Sequence, residues 1–463
     1  MLYDLIVIGS GPAGYEAAAI SSKNGLKTLV LEMGRIGGVC LNEGCIPTKS
    51  LINTANHINN HNELSSLFIE TAAPNISTES VKQMLNTLTA NMRAGVEFIF
   101  KKNKVEFLKE EVVRITSNEV ITNANSYNFR YLIIASGSSN KPLHRFIKGN
   151  IDMSLIYTSR ELLQMDRIPQ EITVIGGGAI GVEFSYILNF FGSKVQILEY
   201  MPTLIPNMDT EGGKYLERVF KRYGIVTRTG CKLISIEQGK DTRYLITFES
   251  NGETKHIETD AILNAMGRSP NTSIDGLVEA GIEITDNGFI KTDSRMQTNN
   301  KNIYAIGDVV AGTPMLAHTA YDEARTAAYS ILSKENSPAA RAFETDYTNT
   351  PYCIYTEPEI ASFGSLEKSD NNTLIKVHFK SSGKANAIHK NDGFIKVSYN
   401  NETGVILGAL IVGYGATELI HQLIILSRNK IDIKKAGDMQ YAHPTFSESL
   451  QELFKAASGE IIH

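Results

Sequence analysis

Cysteine is scarce in this chain, with four residues in 463, at positions 40, 45, 231 and 353. That excludes a secreted framework held by many disulfides, but not a working thiol pair in a reducing compartment. Long apolar runs are missing too. The longest, residues 405–416, is interrupted by Gly408, Gly413 and Gly415. It reads as buried strands, too short to span a bilayer. The formal net charge of −5 offers no basic surface for nonspecific nucleic-acid binding. The first strand is expected to start near Tyr3, and no targeting segment is expected ahead of it. The expectation is a cytoplasmic protein, or a mature form without its presequence, with neither membrane nor nucleic acid as a partner. At this length a single core is not expected, and two to four domains are.

What is present begins with a nucleotide-binding unit. Residues 5–8 form a short apolar run suited to a buried strand, and Gly9, Gly11 and Gly14 follow in the G-x-G-x-x-G spacing. An alanine-rich helix and a second apolar strand come next, and Glu32 ends that strand. Gly9 makes the tight turn, Gly11 lets backbone approach a pyrophosphate, and Gly14 lets helix and strand pack closely. The helix N-terminus faces the phosphates. Glu32 can accept from both ribose hydroxyls. The glycine spacing alone is weak evidence, because loops produce it by chance. Strand, helix and acid together make the case. Further along, the polar stretches 57–66 and 123–128 read as surface loops.

The unit recurs. Residues 171–175 form a strand, Gly176, Gly178 and Gly181 repeat the spacing, and the next strand ends in Glu199. Each unit runs 23 positions from first glycine to acid. The chain therefore binds two dinucleotides, or holds two related domains that both look competent. No Lys or Arg lies between Glu199 and Lys214. A 2′-phosphate needs a nearby cation and Glu199 repels it, so the second site is expected to prefer NAD. The first unit runs straight into Cys40 and Cys45. Its cofactor should accept electrons from sulfur, which indicates a flavin, FAD.

Cys40 and Cys45 lie five apart. In a straight helix that spacing is about 7.5 Å along the axis, whereas a disulfide needs Cα atoms within roughly 7 Å. A pairing therefore requires Cys40 on a distorted or opening turn. Gly37, Gly38 and Gly44 supply the freedom, and Pro47 removes a donor in the following turn. A helix N-terminus there would lower a thiolate pKa. Half of a zinc site and a pair of buried thiols remain alternatives. A zinc site needs more ligands, and Cys231 and Cys353 are isolated in the chain, so no metal is expected. Cys231 and Cys353 read as small buried apolar residues.

The run from Gly37 to Lys49, GGVCLNEGCIPTK, resembles the signature of the flavoprotein disulfide reductases. The stretches 304–308 (YAIGD), 315–318 (MLAH) and 443–448 (HPTFSE) agree. The resemblance runs from Tyr3 to about Gly459, and within the family it is greatest to the dihydrolipoamide dehydrogenases. It implies two Rossmann-like dinucleotide-binding domains, for FAD and NAD, and a C-terminal α+β dimerisation domain. The divisions expected are 1–143 (FAD), 144–268 (NAD), 269–341 (a central part completing the FAD site) and 342–463 (interface).

The resemblance further implies a redox disulfide in which Cys40 meets substrate and Cys45 lies nearest the flavin. Lys49, one turn on, would stabilise charge on the reduced cofactor, and Glu183 would pair with Lys49 beside the nicotinamide. An acid in the first turn of a helix is also common for dipole reasons. His443 would be the acid–base group, oriented by Glu448. Tyr441 stands where the family often has a second histidine. Asp308 would bind the flavin's ribityl chain. Gly137, Gly267, Met315, Ala317 and His318 would line the cofactors. Arg268 would sit in a second cofactor-contacting turn, or be a plain surface arginine. The implied partners are a second copy of the chain, and the lipoyl domains and acyltransferase core of 2-oxoacid dehydrogenase complexes.

Two rival readings stand beside this one. A glutathione, mycothione or mercuric reductase would keep the chemistry. However, the basic 2′-phosphate pocket is missing, and no cysteine follows Cys353. A flavoprotein retained as a scaffold would not need Cys40, Cys45, His443 and Glu448 together.

Overall fold

The computed structural model describes residues 1–67, 69, 70, 72, 74–240 and 243–460. Strand Leu2–Ile8 pairs in parallel with Thr28–Leu31 on one side and Ser126–Ile134 on the other. Leu5, Ile6 and Val7 are fully buried. Burial on both faces is what a continuous apolar run in a parallel sheet signifies. Strand Ile303–Ala305 returns to the same sheet and pairs in parallel with Ser126–Ile134. Gly9, Gly137 and the Gly307–Asp308 turn therefore follow the carboxyl ends of neighbouring parallel strands. That edge is where open α/β sheets bind ligands.

The second glycine unit is built alike. Glu171–Ile175 is flanked in parallel by Lys194–Leu198 and Ala261–Asn264, so Gly176, Glu199 and Gly267 follow one sheet edge. A two-stranded ribbon, Ser138–Asn140 against Arg268–Pro270, ties the two nucleotide folds together. The third unit is a five-stranded antiparallel sheet that includes Glu359–Gly364, Phe394–Asn400 and Ile406–Gly413. Helices Ala416–Arg428 and Ser447–Ser458 cover one face. Ile395 and Ile411 of the sheet meet Ile420, Leu450 and Phe454 of those helices in a shared core.

The other face of that sheet is also buried. Ile360, Phe394, Leu410 and Val412 join Val182 and Tyr186 of the second unit, and Leu51, Ile52 and Ala55 of the first, in a single apolar cluster. All three units thus share a core, and the run 405–416 is apolar because both of its faces are covered.

The two polar stretches expected to be surface loops turn out differently. Helix Cys45–Glu63 and a 3-10 turn Leu64–Leu67 span residues 57–66. No Gly or Pro lies between Pro47 and Pro74 to stop the helix, and Asn59 is itself buried. Residues 123–128 hold a tight turn, with Thr122 N–H donating to the Asn125 carbonyl at 2.8 Å, and strand Ser126–Ile134 begins inside it. Among the described residues, no helix is long and apolar enough to cross a membrane.

Candidate active site

The six loop glycines divide by what surrounds them. Gly9 and Gly176 have φ of 97° and 109°, the left-handed region that glycine tolerates. A Cβ on either would collide with the carbonyl of Ala135 or Ala265. A Cβ on Gly14 or Gly181 would collide with the carbonyl of Gly9 or Gly176. The middle glycines are different. A Cβ on Gly178 meets nothing within 4 Å, and one on Gly11 only the Gly38 Cα at 4.0 Å. Packing of the protein demands the outer glycines, while the middle ones leave bare backbone open at a helix N-terminus. That cradle fits a phosphate group in both units.

The two acids mirror each other. Glu32 accepts from the Ser10 N–H (2.8 Å) and hydroxyl (2.7 Å), and from the Gly34 N–H (2.7 Å). Glu199 accepts from the Gly177 N–H (2.5 Å) and the Met201 N–H (2.6 Å). Each is held to the middle of its own glycine loop with lone pairs to spare for hydroxyls. Register also brings Arg228 alongside Leu198, and its carbonyl accepts the Glu199 N–H at 2.8 Å. Counting cations along the chain only as far as Lys214 could not include this neighbour.

The thiols straddle a helix break. Cys40 lies in the short helix Gly38–Glu43, Gly44 interrupts it (φ −131°, ψ −117°), and Cys45 is the first residue of helix Cys45–Glu63. Both are free thiols in this structure. The neighbouring Cys40 thiol lowers Cys45 to about 7. Burial opposes that shift and the Lys49 ammonium assists it. Cys40 moves the other way, well above the ordinary thiol range, chiefly because of the neighbouring Cys45 and because it is buried. Lys49, one turn on, and the helix that Cys45 begins both favour negative charge at Cys45. Among the described residues, no His, Cys, Asp or Glu cluster could hold a metal. Cys231 is buried, but Cys353 is only half-buried.

Lys49 follows Cys45 by one helical turn and reaches Glu183, with its Nζ 3.0 and 2.9 Å from the two carboxylate oxygens. Glu183 is 4% exposed and lies in the second turn of helix Ala179–Phe190, beyond the first turn where dipole effects place acids. Tyr355 of the third unit completes the cluster. Its N–H donates to Glu183 at 3.2 Å, and its ring lies 4.4 Å from the Lys49 Nζ. Three units of the chain thus meet at one ion pair.

Asp308 accepts from the Ser138 hydroxyl at 2.5 Å. Arg268 donates to the same hydroxyl at 2.6 Å and to Asn140 Oδ1 at 3.1 Å. It is thus a partly buried member of the ribbon, and the reading of it as a plain surface arginine fails. The Gly137 and Gly267 carbonyls accept the N–H groups of Asn271 (2.9 Å) and Lys141 (3.0 Å) at either end of that ribbon. Met315 leads into helix Ala317–Lys334, of which Ala317 is the first residue. The His318 ring nitrogen Nε2 lies 2.9 Å from the Pro351 carbonyl.

His443 stands apart from this cluster. Its ring is 77% exposed, with Nδ1 2.9 Å from Glu448 Oε1. Glu448 also accepts the Thr445 N–H at 2.7 Å. That N–H first, and His443 second, hold its carboxyl below the usual range. Among the described residues, no hydrogen bond or ion pair joins His443 to Cys40 or Cys45 within one chain. Sequence reasoning missed Tyr355, Ser138, and the phenols of Tyr15 and Tyr321, which hydrogen-bond to each other within electrostatic range of Cys40. Only Tyr15, one residue past the first glycine motif, carried a positional signal.

Residues 3–324 match the family model described as pyridine nucleotide-disulphide oxidoreductase, and 350–454 match the dimerisation domain of the same name. The chain is 36% identical to a dihydrolipoyl dehydrogenase of Thermus scotoductus, covering 100% of this chain and 98% of that protein. It is 34% identical to the dihydrolipoyl dehydrogenase of Bacillus subtilis, over 99% and 97% of the two chains. Among solved structures, the HOCl-induced flavoprotein disulfide reductase RclA of Escherichia coli superposes with a TM-score of 0.84 at 24% identity, covering 98% of this chain and 99% of that one. That likeness is one of fold.

Proposed function

The chain belongs to the pyridine nucleotide-disulphide oxidoreductase family, and from that premise we propose that it is an FAD-dependent dihydrolipoamide dehydrogenase. It oxidises protein-bound dihydrolipoamide to lipoamide and reduces NAD to NADH. One observation carries the reading: Lys49, a turn from the Cys45 thiol of the first fold, is clamped by Glu183 of the second. The thiol-bearing helix of the first fold and the glycine-loop helix of the second meet there.

Bound FAD supplies the two-electron relay between the thiols and bound NAD. The first fold would hold it through the Gly11 cradle, Glu32 and Asp308, and the second would hold NAD through the Gly178 cradle and Glu199. The chain's own residues do the sulfur chemistry. A substrate thiolate attacks Cys40 of the Cys40–Cys45 disulfide, and Cys45 leaves as thiolate. The second substrate thiol then displaces Cys40, which closes the lipoamide disulfide and leaves the enzyme with two reduced sulfurs. The Lys49 ammonium and the helix N-terminus stabilise the charge on Cys45. His443 takes the substrate proton at Nε2, while Glu448 holds Nδ1 and stabilises the imidazolium.

An exposed His443 with no hydrogen bond or ion pair to its own chain's thiols among the described residues suits a site completed by a second copy. The matched dimerisation domain supports a homodimer of that kind. The four-part division at 143, 268 and 341, a cytoplasmic location, and service to the lipoyl domains and acyltransferase core of a 2-oxoacid dehydrogenase complex complete the proposal. Anaerobic titration of the flavin-loaded protein with dihydrolipoamide tests it. A long-wavelength band growing to one equivalent supports the enzyme, and a flavin spectrum that the dithiol leaves unchanged supports a scaffold.

A further inference from the structure

Glu323 lies on helix Ala317–Lys334 and is fully buried. A carboxyl is rarely found there without a cation beside it. Among the described residues no ion pair reaches it. Its two oxygens are used in different directions. Oε2 accepts the Gly307 N–H at 2.5 Å, and Oε1 accepts the Tyr347 hydroxyl at 2.8 Å.

Both partners sit at consequential places. Gly307 has φ of 75°, and a Cβ there would press on the Ala13 Cβ at 3.3 Å. The turn is therefore seated against the first glycine-loop helix, and Asp308 is its next residue. Tyr347 belongs to the segment between Lys334 and Tyr352 that leads into the third unit. Burial pushes the Glu323 carboxyl up to about 7, with Asp308 and Asp322 adding to the rise and the two hydrogen bonds opposing it. Packing alone would not select such a group at this position, because an apolar side chain of similar size would avoid the desolvation cost.

We propose that Glu323 is a positioning residue for the flavin site: through Gly307 it sets the turn that presents Asp308, and through Tyr347 it ties that turn to the segment entering the interface unit. The proposal rests on the FAD reading above. It separates two roles. Asp308 touches the cofactor, whereas Glu323 acts only through Asp308.

The test measures FAD dissociation by flavin fluorescence on the full-length protein at pH 8, above the raised Glu323 value. Glu323→Leu removes both acceptors and should weaken binding about 10- to 100-fold, the size of a lost hydrogen bond to a charged group. Glu323→Gln offers Gly307 a neutral acceptor and should fall between Leu and wild type. The deciding comparison is Glu323→Gln combined with Asp308→Asn, two conservative changes that settle the matter even if the Leu variant does not fold. An indirect role predicts that the double variant binds FAD no more weakly than Asp308→Asn alone. If the two losses multiply, or if Glu323→Gln binds as tightly as wild type, the positioning role is refuted. A wild-type protein that holds no FAD would instead overturn the cofactor reading itself.

Discussion

Cys45 depends on three neighbours: the Cys40 thiol, the helix it begins, and Lys49 one turn along. These place its pKa at about 7. The thiolate, and any long-wavelength band it gives with bound flavin, should be present above pH 7 and lost as pH falls through it. Lys49→Met should move that midpoint up by about one pH unit, because an opposite charge a few ångströms away is removed. An unmoved midpoint would mean that Lys49 does not act on the sulfur. The two cysteines should also separate in substitution. Cys40→Ser and Cys45→Ser both abolish disulfide turnover, but only Cys40→Ser should keep the band at neutral pH. The reverse pattern would exchange their roles.

At the scale of elements, the second glycine unit decides between the nicotinamide cofactors. Glu199 is bound to the Gly177 N–H at the sheet edge, where it repels a 2′-phosphate. Glu199→Ala combined with Tyr200→Arg should move the kcat/KM ratio for NADPH over NADH up by about tenfold or more, equivalent to roughly 1.4 kcal/mol. An unchanged ratio would mean that another group, such as Arg228 on the adjacent strand, sets the preference. The strands and helices of both glycine units were legible in the sequence, because strand, turn, helix and acid each leave a local pattern there. The break at Gly44 was foreshadowed by the geometry that five-residue spacing imposes. The helix through residues 57–63 was not, because its polarity suggested a loop while the lack of a breaker decided the outcome. Tyr355 and Glu323 were also invisible, since their partners Glu183 and Gly307 are distant in the chain or buried by tertiary packing. Sequence spacing cannot register such contacts.

The whole molecule is held by an apolar cluster to which all three units contribute, so the Lys49–Glu183–Tyr355 junction is a product of assembly rather than of any one fold. His443 is the exception, standing apart from its own chain's thiols. If the proposed homodimer shares its sites, a mixed dimer of Cys45→Ser with His443→Ala has one site with both groups intact. It should show about half of wild-type activity, while each parent homodimer is nearly inactive. A mixed dimer as inactive as its parents would place the site within one chain. The central claim, NAD-linked oxidation of dihydrolipoamide, is tested most directly by steady-state turnover of the flavin-loaded protein. Dihydrolipoamide with NAD is measured beside glutathione disulfide with NADPH. The account predicts a kcat/KM for the first pair at least about 100-fold above the second, a gap of roughly 2.7 kcal/mol in transition-state binding. Equal values, or a preference for glutathione disulfide with NADPH, would contradict it.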